Sequence, residues 1–192
     1  LETKDIWRTL IVPLNRTFSQ FHYILQRAFS WTNSHVHEFY IFDKRERGSS
    51  LSINHPAYTK ESAKPIVNLV DHEEAFHYPG EIPMKLEQGI KLSEYLPEAD
   101  LLMYIYDLGD NWRHRIDVLR VIEDYPSNHP VCTGGEGNAP PEDVGGESGY
   151  LHFLEIINDT KHPEHEHMKK WALGQLYTKF DLERVNVSLK NK

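Results

Sequence analysis

The stretch Tyr104-Ile-Tyr-Asp-Leu-Gly-Asp-Asn-Trp-Arg-His-Arg-Ile116 decides how the rest of the chain is read. An apolar run from Leu101 to Tyr106 enters Asp107-Leu108-Gly109-Asp110-Asn111, and the chain leaves from Trp112 as a second strand. Asp and Asn side chains cap turn N–H groups and, with Gly, tolerate positive φ, so the pattern predicts a β-hairpin. Its tip also gathers two carboxylates, an indole and His114 within eight residues, which is more chemistry than a chain reversal needs.

Working outward, residues 6–13 form a β-branched and aromatic run that predicts a strand stopped by Pro13. Thr17-Phe-Ser-Gln20 has the capping-box pattern, and Phe18, Phe21, Ile24, Leu25, Ala28 and Phe29 then keep helical spacing through Ser30. Ser34 to Phe42 predicts the next strand, followed by a charged turn from Asp43 to Ser50. Residues 51–91 suggest one or two short strands, Leu92 to Leu96 a helical turn, and the return strand of the hairpin is expected to reach about Glu123. Residues 124–149 hold six of the eleven glycines and four of the eleven prolines, and are expected to be a long irregular loop. Tyr150, Phe153, Leu154 and Ile157 mark an amphipathic helix, Pro163 opens another with Met168, Trp171, Ala172 and Leu176, and a short element follows Asp181. The sum is an α+β fold: one domain over residues 1–192, a mainly antiparallel sheet, a helix after the first strand and C-terminal helices.

Composition narrows the function classes. The chain has 192 residues, a formal net charge of −8 and no basic cluster, which disfavours nucleic acid as a partner. Its single cysteine, Cys132, excludes an internal disulfide and a four-cysteine zinc module. Neither an apolar run long enough for a membrane span nor a leader-like segment is seen, so a cytoplasmic protein is expected.

Several residues are candidates for chemistry. His35 and His37, two apart on the expected strand, would share a face and could reach one divalent ion with carboxylates from Asp107, Asp110, Glu142 or Asp143. The competing reading is a pair of half-buried, hydrogen-bonded histidines. Asp107 and Asp110 could equally cap the turn, Trp112 could pack rather than stack on a ligand, and His114 could be a satisfied histidine. The run from Cys132 to Tyr150 has the glycines and helix entry of an anion site. Its acids, Glu136, Glu142, Asp143 and Glu147, suit a cation better. Cys132 would be a nucleophile only beside a base such as His114. His162, His165 and His167 read as a solvated helical face rather than a metal site.

At this level the sequence resembles the plasmid pRiA4b ORF-3-like family. The resemblance rests on Ile6-Trp7-Arg8 with Val12-Pro13, Ala28-Phe29-Ser30-Trp31 and His35-Val-His-Glu-Phe39. It also rests on Tyr106-Asp-Leu-Gly-Asp-Asn-Trp-Arg-His114, Pro140-Pro-Glu-Asp-Val-Gly-Gly146 with Gly149-Tyr150, and Phe180 to Asn186. Leu108 stands where the family commonly has an aromatic. The resemblance implies an α+β domain without an established activity. The resolvase-like label sometimes attached to members as insertion-element passengers finds no serine-recombinase pattern here.

Two main expectations follow. The first is a binding or interaction module whose ligand surface lies between the 107–114 hairpin and the 132–149 loop, using Asp107, Asp110, Trp112, His114, Glu136, Glu142 and Asp143. The alternative is a metal-dependent hydrolase-type enzyme with His35 and His37 as ligands and His114, Asp110 or Glu142 as catalytic groups. A nucleic-acid-associated protein of a mobile element is a third reading, and it lacks the basic face it would need.

Overall fold

The structure, a computed structural model, describes residues 6–42 and 65–190. Its elements in chain order are β1 (Trp7–Ile11), α1 (Phe18–Phe29), β2 (His37–Phe42), β3 (Pro65–Val70), β4 (Met84–Leu86), β5 (Leu101–Tyr106), β6 (Trp112–Asp117), β7 (Val131–Glu136), α2 (Gly146–Asn158), α3 (His165–Gly174) and α4 (Leu182–Lys190), with short 3-10 turns at Glu73–His77 and Leu92–Glu94. Strands β4-β3-β2-β5-β6 form a five-stranded sheet in that order, and β1 and β7 form a separate two-stranded one. Among the described strands only the β3–β4 pairing is parallel. The fold is α+β with mainly antiparallel sheets.

Helix α1 begins where its sequence says it should. The Thr17 hydroxyl accepts from Gln20 N–H and the Gln20 side chain accepts from Thr17 N–H, which satisfies two donors of the first turn. Ser30 ends it in the left-handed conformation. Its apolar stripe (Phe18, Phe21, Leu25, Phe29) packs with Phe39, Ile41, Val67, Leu69, Leu102, Tyr104 and Tyr106 of the large sheet. Val185 and Leu189 of α4 complete this core, while Tyr150, Phe153 and Ala172 make a second cluster under α2 and α3. The opposite face of the sheet buries Phe42, Leu101, Met103 and Ile105.

Several boundaries differ from the sequence reading, among them the start of β2 at His37 rather than Ser34 and the end of α3 at Gly174, before Leu176. Strand β6 stops at Asp117 rather than Glu123, because β5 begins at Leu101 and offers no strand beyond the bond from Val118 N–H to the Asp100 carbonyl. Strand β7 lies inside the supposedly irregular 124–149 segment. Glycines hide it from any apolar alternation, and its ladder with β1 comes from a partner more than a hundred residues away. Helix α2 starts at Gly146, ahead of Tyr150. Where one or two short strands were expected in 51–91, the structure has β3 and β4, and the turn expected at Asp43 to Ser50 lies outside the described residues.

The β1–β7 pair is pinned by Arg8. Its Nη1 donates to the Trp7 and Glu136 carbonyls, its Nη2 to the Gly137 carbonyl and its Nε to the Ala28 carbonyl, while the guanidinium lies 3.9 Å from the centre of the Phe180 ring. A Cβ at Gly135 would come within 2.7 Å of both Arg8 Cδ and Phe180 Cζ, and within 2.8 Å of the Trp7 carbonyl oxygen. Backbone cannot yield as a flexible side chain can, so Gly135→Ala is expected to destabilise the fold by about 2 kcal/mol. Equilibrium urea denaturation measures this, and an unchanged midpoint would contradict the packing described.

Candidate functional site

Two chain reversals and one strap build the site. In the first reversal, Asp107 and Asn111 both adopt left-handed backbone, with φ of 54° and 58°. Asp107 Oδ1 accepts from the N–H groups of Gly109 (2.9 Å) and Asp110 (3.2 Å), so this carboxylate caps the turn, as its residue type allows. The turn takes one oxygen and leaves Oδ2 facing His35. Leu108, the departure from the family pattern, is exposed at the tip.

The second reversal is residues 137–145. Asp143 again has positive φ, 55°, and Gly145 N–H donates to Asp110 Oδ2 at 3.1 Å, tying the loop to the hairpin. Gly146 permits this approach, since a Cβ there would lie 3.1 Å from the Asp110 carbonyl oxygen on a backbone with φ of 67°. The hairpin and the glycine-and-acid loop therefore share one polar hollow.

The strap is Trp31 to His35, between α1 and β2. Trp31 Nε1 donates to the Pro140 carbonyl, Thr32 N–H and hydroxyl both donate to Glu142 Oε1 (2.8 and 3.0 Å), and Ser34 N–H donates to the Tyr106 hydroxyl. The Tyr106 hydroxyl donates in turn to Glu142, 3.0 Å from Oε1. Burial and the neighbouring Glu142 charge raise the Tyr106 pKa, so the phenol holds its proton for that bond. Asn33, left-handed at φ 56°, donates its N–H to Gln26 Oε1, and its Oδ1 lies 2.6 Å from His22 Nε2.

At the end of the strap stands His35. Its Nε2 lies 3.1 Å from Asp143 Oδ1, 3.6 Å from Asp107 Oδ2 and 3.9 Å from Glu142 Oε2. None of these is aligned as a hydrogen bond, and Nε2 is buried without a hydrogen-bond partner among the described residues. One ligand atom each from His35, Asp107 and Asp143 lie within 4.8 Å of one another. Metal–ligand bonds of about 2.1 Å place ligand atoms roughly 3–4 Å apart, so the group needs to contract by only about 1 Å around an ion. Asp143 is exposed and Glu142 almost fully buried, so the hollow opens on the Asp143 side.

The other sequence candidates go elsewhere. His35 precedes β2 rather than lying on it, so it does not share a strand face with His37. His37 is buried against Glu87 (Nε2 to Oε2, 3.1 Å), with Asp71 at 3.6 Å, and its ring stacks on His22 with centroids 3.6 Å apart. His114 sits among Phe29, Trp31 and Tyr104, and Trp112 packs edge-on to Tyr150. Glu136 is exposed on β7 opposite Trp7, and Glu147 is exposed in the first turn of α2. Cys132 is buried, with its thiol pKa raised by burial, and donates to the Gly134 carbonyl. Sequence reasoning overlooked Tyr106, Thr32 and Trp31. The signal available was a buried phenol and indole in a strand and a helix exit, each of which requires a polar partner.

An α+β fold with a helix after its first strand, carrying a histidine–carboxylate hollow between a hairpin and a Pro-Pro-Glu-Asp loop, defines the class. The chain belongs to the plasmid pRiA4b ORF-3-like protein family, whose model matches residues 1–189. It is 30% identical over 188 residues to the uncharacterized protein y4hQ of Sinorhizobium fredii, covering 97% of this chain and 82% of that one. Among solved structures it is similar to the protein of unknown function MM3350 from Methanosarcina mazei Go1, with a TM-score of 0.65 and 30% identity over 93% of this chain and 88% of that one. No helix among the described residues is long and apolar enough to cross a membrane.

Burial around the strap has a pH signature. His22 and His114 are both lowered from 6.5 to about 4, chiefly by desolvation, with the neighbouring His37 adding to the effect on His22. Between those values the unfolded chain binds more protons than the folded one, so stability rises with pH across the window and is lost as pH falls from about 6.5 toward 4. Each ring is expected to lower stability by about 1 kcal/mol by pH 5.5. Urea midpoints at pH 7 and 5.5 measure this. His114→Phe, which suits the aromatic surroundings, should flatten the pH dependence.

Proposed function

We propose that the protein is a binding module whose polar hollow takes a divalent cation, with His35, Asp107 and Asp143 as the ligands and Glu142 as the buried anion behind them. The observation that carries this reading is the orphaned His35 Nε2, buried and aimed at three carboxylates with no hydrogen bond to any of them. A buried imidazole nitrogen that makes no hydrogen bond, set beside clustered carboxylate oxygens, is a place where a bridging group would satisfy several polar atoms at once. A divalent ion does so, since imidazole and carboxylate oxygen are both its ordinary ligands. The three protein ligands leave coordination positions toward the exposed Asp143 side, where a water or an oxygen of a partner molecule would complete the shell.

The hydrolase alternative would need a free base beside that open position. Glu142 is the nearest unclaimed carboxylate, and its Oε1 already receives the Thr32 N–H, the Thr32 hydroxyl and the Tyr106 hydroxyl. A carboxylate so engaged is suited to holding the strap rather than to abstracting a proton. Binding is therefore the better-supported reading. Residues 1–192 act as one domain in it, and the lone buried thiol of Cys132 fits a cytoplasmic protein.

Protein purified without a histidine tag is expected to retain a divalent metal, or to take up one equivalent of Mn2+ or Zn2+ in calorimetry after chelation. His35→Ala and Asp143→Asn should each weaken that affinity by about a hundredfold or more. Tyr106→Phe, which removes a bond to Glu142, should cost about tenfold. His167→Ala, an exposed histidine outside the hollow, should change nothing. A metal-free protein that binds neither ion more tightly than about 1 mM would overturn the proposal.

A further inference from the structure

Helix α1 places His22 and Gln26 one turn apart on its buried face. With the Tyr104 hydroxyl and Asn33 they close a circuit of hydrogen bonds. Asn33 N–H donates to Gln26 Oε1 at 2.8 Å, and Gln26 Nε2 donates to the Tyr104 hydroxyl oxygen at 3.0 Å. The same hydroxyl lies 2.8 Å from His22 Nδ1, and His22 Nε2 lies 2.6 Å from Asn33 Oδ1. An amide oxygen only accepts, so Nε2 carries the proton of the neutral imidazole and Nδ1 accepts the Tyr104 O–H. Each bond of the circuit then has one donor and one acceptor.

The His22 imidazole also holds the chain on both sides of His35. Its edge is bonded to Asn33, two residues before His35. Its face is stacked on the ring of His37, two residues after, with centroids 3.6 Å and planes 7° apart. Asn33 adopts φ of 56°, a conformation uncommon for any residue with a side chain, and His37 begins the ladder with β5. Thr32 and Ser34 are tied to Glu142 and Tyr106, whereas Asn33 between them is tied to the helix, so the strap is gripped from two directions. A swing of Asn33 out of the left-handed region would redirect the residues that follow it. His35 would then leave a ligand group whose atoms need to close by only about 1 Å.

We infer that His22 is the positioning residue for His35, fixing through Asn33 and His37 both flanks of the bend from which Nε2 reaches the hollow. The consequence for an ion rests on the cation reading above, and the effect on the strap does not.

Substitution at position 22 tests this. His22→Leu keeps the space filled but opens the circuit, and should weaken Mn2+ binding in calorimetry about tenfold. In the cation-free protein, hydrogen exchange should quicken at the Asn33 and Ser34 amides and stay unchanged at the Asp110 amide, which is held within the hairpin. His22→Gln retains a donor in reach of Asn33 Oδ1 and should restore both readouts to within about threefold of wild type. Simple core filling predicts the reverse, with Leu at least as good as Gln. Should the Leu variant not fold, Asn33→Ala, at an exposed position, breaks the same bond and carries the same expectation. Exchange at Asn33 and Ser34 that opening the circuit leaves unchanged overturns the inference. So does a Gln variant that behaves like the Leu one. A wild-type protein that binds no Mn2+ would sink the cation reading instead, and the exchange comparison would still decide the role of His22.

Discussion

The bond set around Glu142 is the joint on which the hollow depends. One buried carboxylate gathers Thr32 from the strap and Tyr106 from the central strand β5, while lying in the 137–145 loop. Hydrogen bonds to a charged acceptor are the stronger kind, and a buried carboxylate left without donors is heavily penalised. The three segments therefore hold one another, and no two of them are neighbours in the chain. The Trp31 indole bond to the Pro140 carbonyl adds a second tie between the same pair of segments, beside the aromatic wall formed with Tyr106.

Behind this joint lies a second polar layer, on which the His37 ring stacks through His22. His22, Gln26 and Tyr104 surround Asn33: the Tyr104 hydroxyl lies 2.8 Å from His22 Nδ1 and accepts from Gln26 Nε2. The left-handed turn at Asn33 lets the strap leave helix α1 and swing His35 away from the axis of β2. His37, two residues later, is already in the ladder, opposite Tyr106. A backbone bend between the two histidines sends one ring to Asp107 and Asp143 and the other to Glu87 and His22.

That bend shows where sequence reading reaches its limit. Local chemistry made α1, the β5–β6 hairpin and the two helices carrying Phe153 and Trp171 legible, because a capping box, a helical apolar stripe and an Asp/Gly/Asn turn each act over a few residues. The meeting of the hairpin with the 132–149 loop was also readable, since both carried carboxylates that a surface loop does not require. The fate of His35 and His37 was not. Period-two alternation holds only while both residues are in the strand, and the strand begins at His37 because Ser34 N–H is taken by a Tyr106 hydroxyl seventy-two residues away. Strand β7 escaped for the same reason: its existence is decided by β1, not by its own glycine-rich composition.

The proposed ion site would also act on the fold. The proposed ligands come from the strap, the hairpin and the Pro-Pro-Glu-Asp loop, so an unfolded chain holds no such arrangement. A cation that binds only the folded state shifts the folding equilibrium by its full mass-action term, about 2.7 kcal/mol at a hundredfold excess over its dissociation constant. It would also bridge the anions of Asp107 and Asp143 and give the orphaned His35 nitrogen a partner, relieving the least satisfied point of the hollow. The turn-capping oxygen of Asp107 is not the one that faces His35, so the hairpin would keep its own bonds while the ion bound. The parts of the site that create the fold and the parts free to hold a ligand are thus separate atoms, in places of a single side chain.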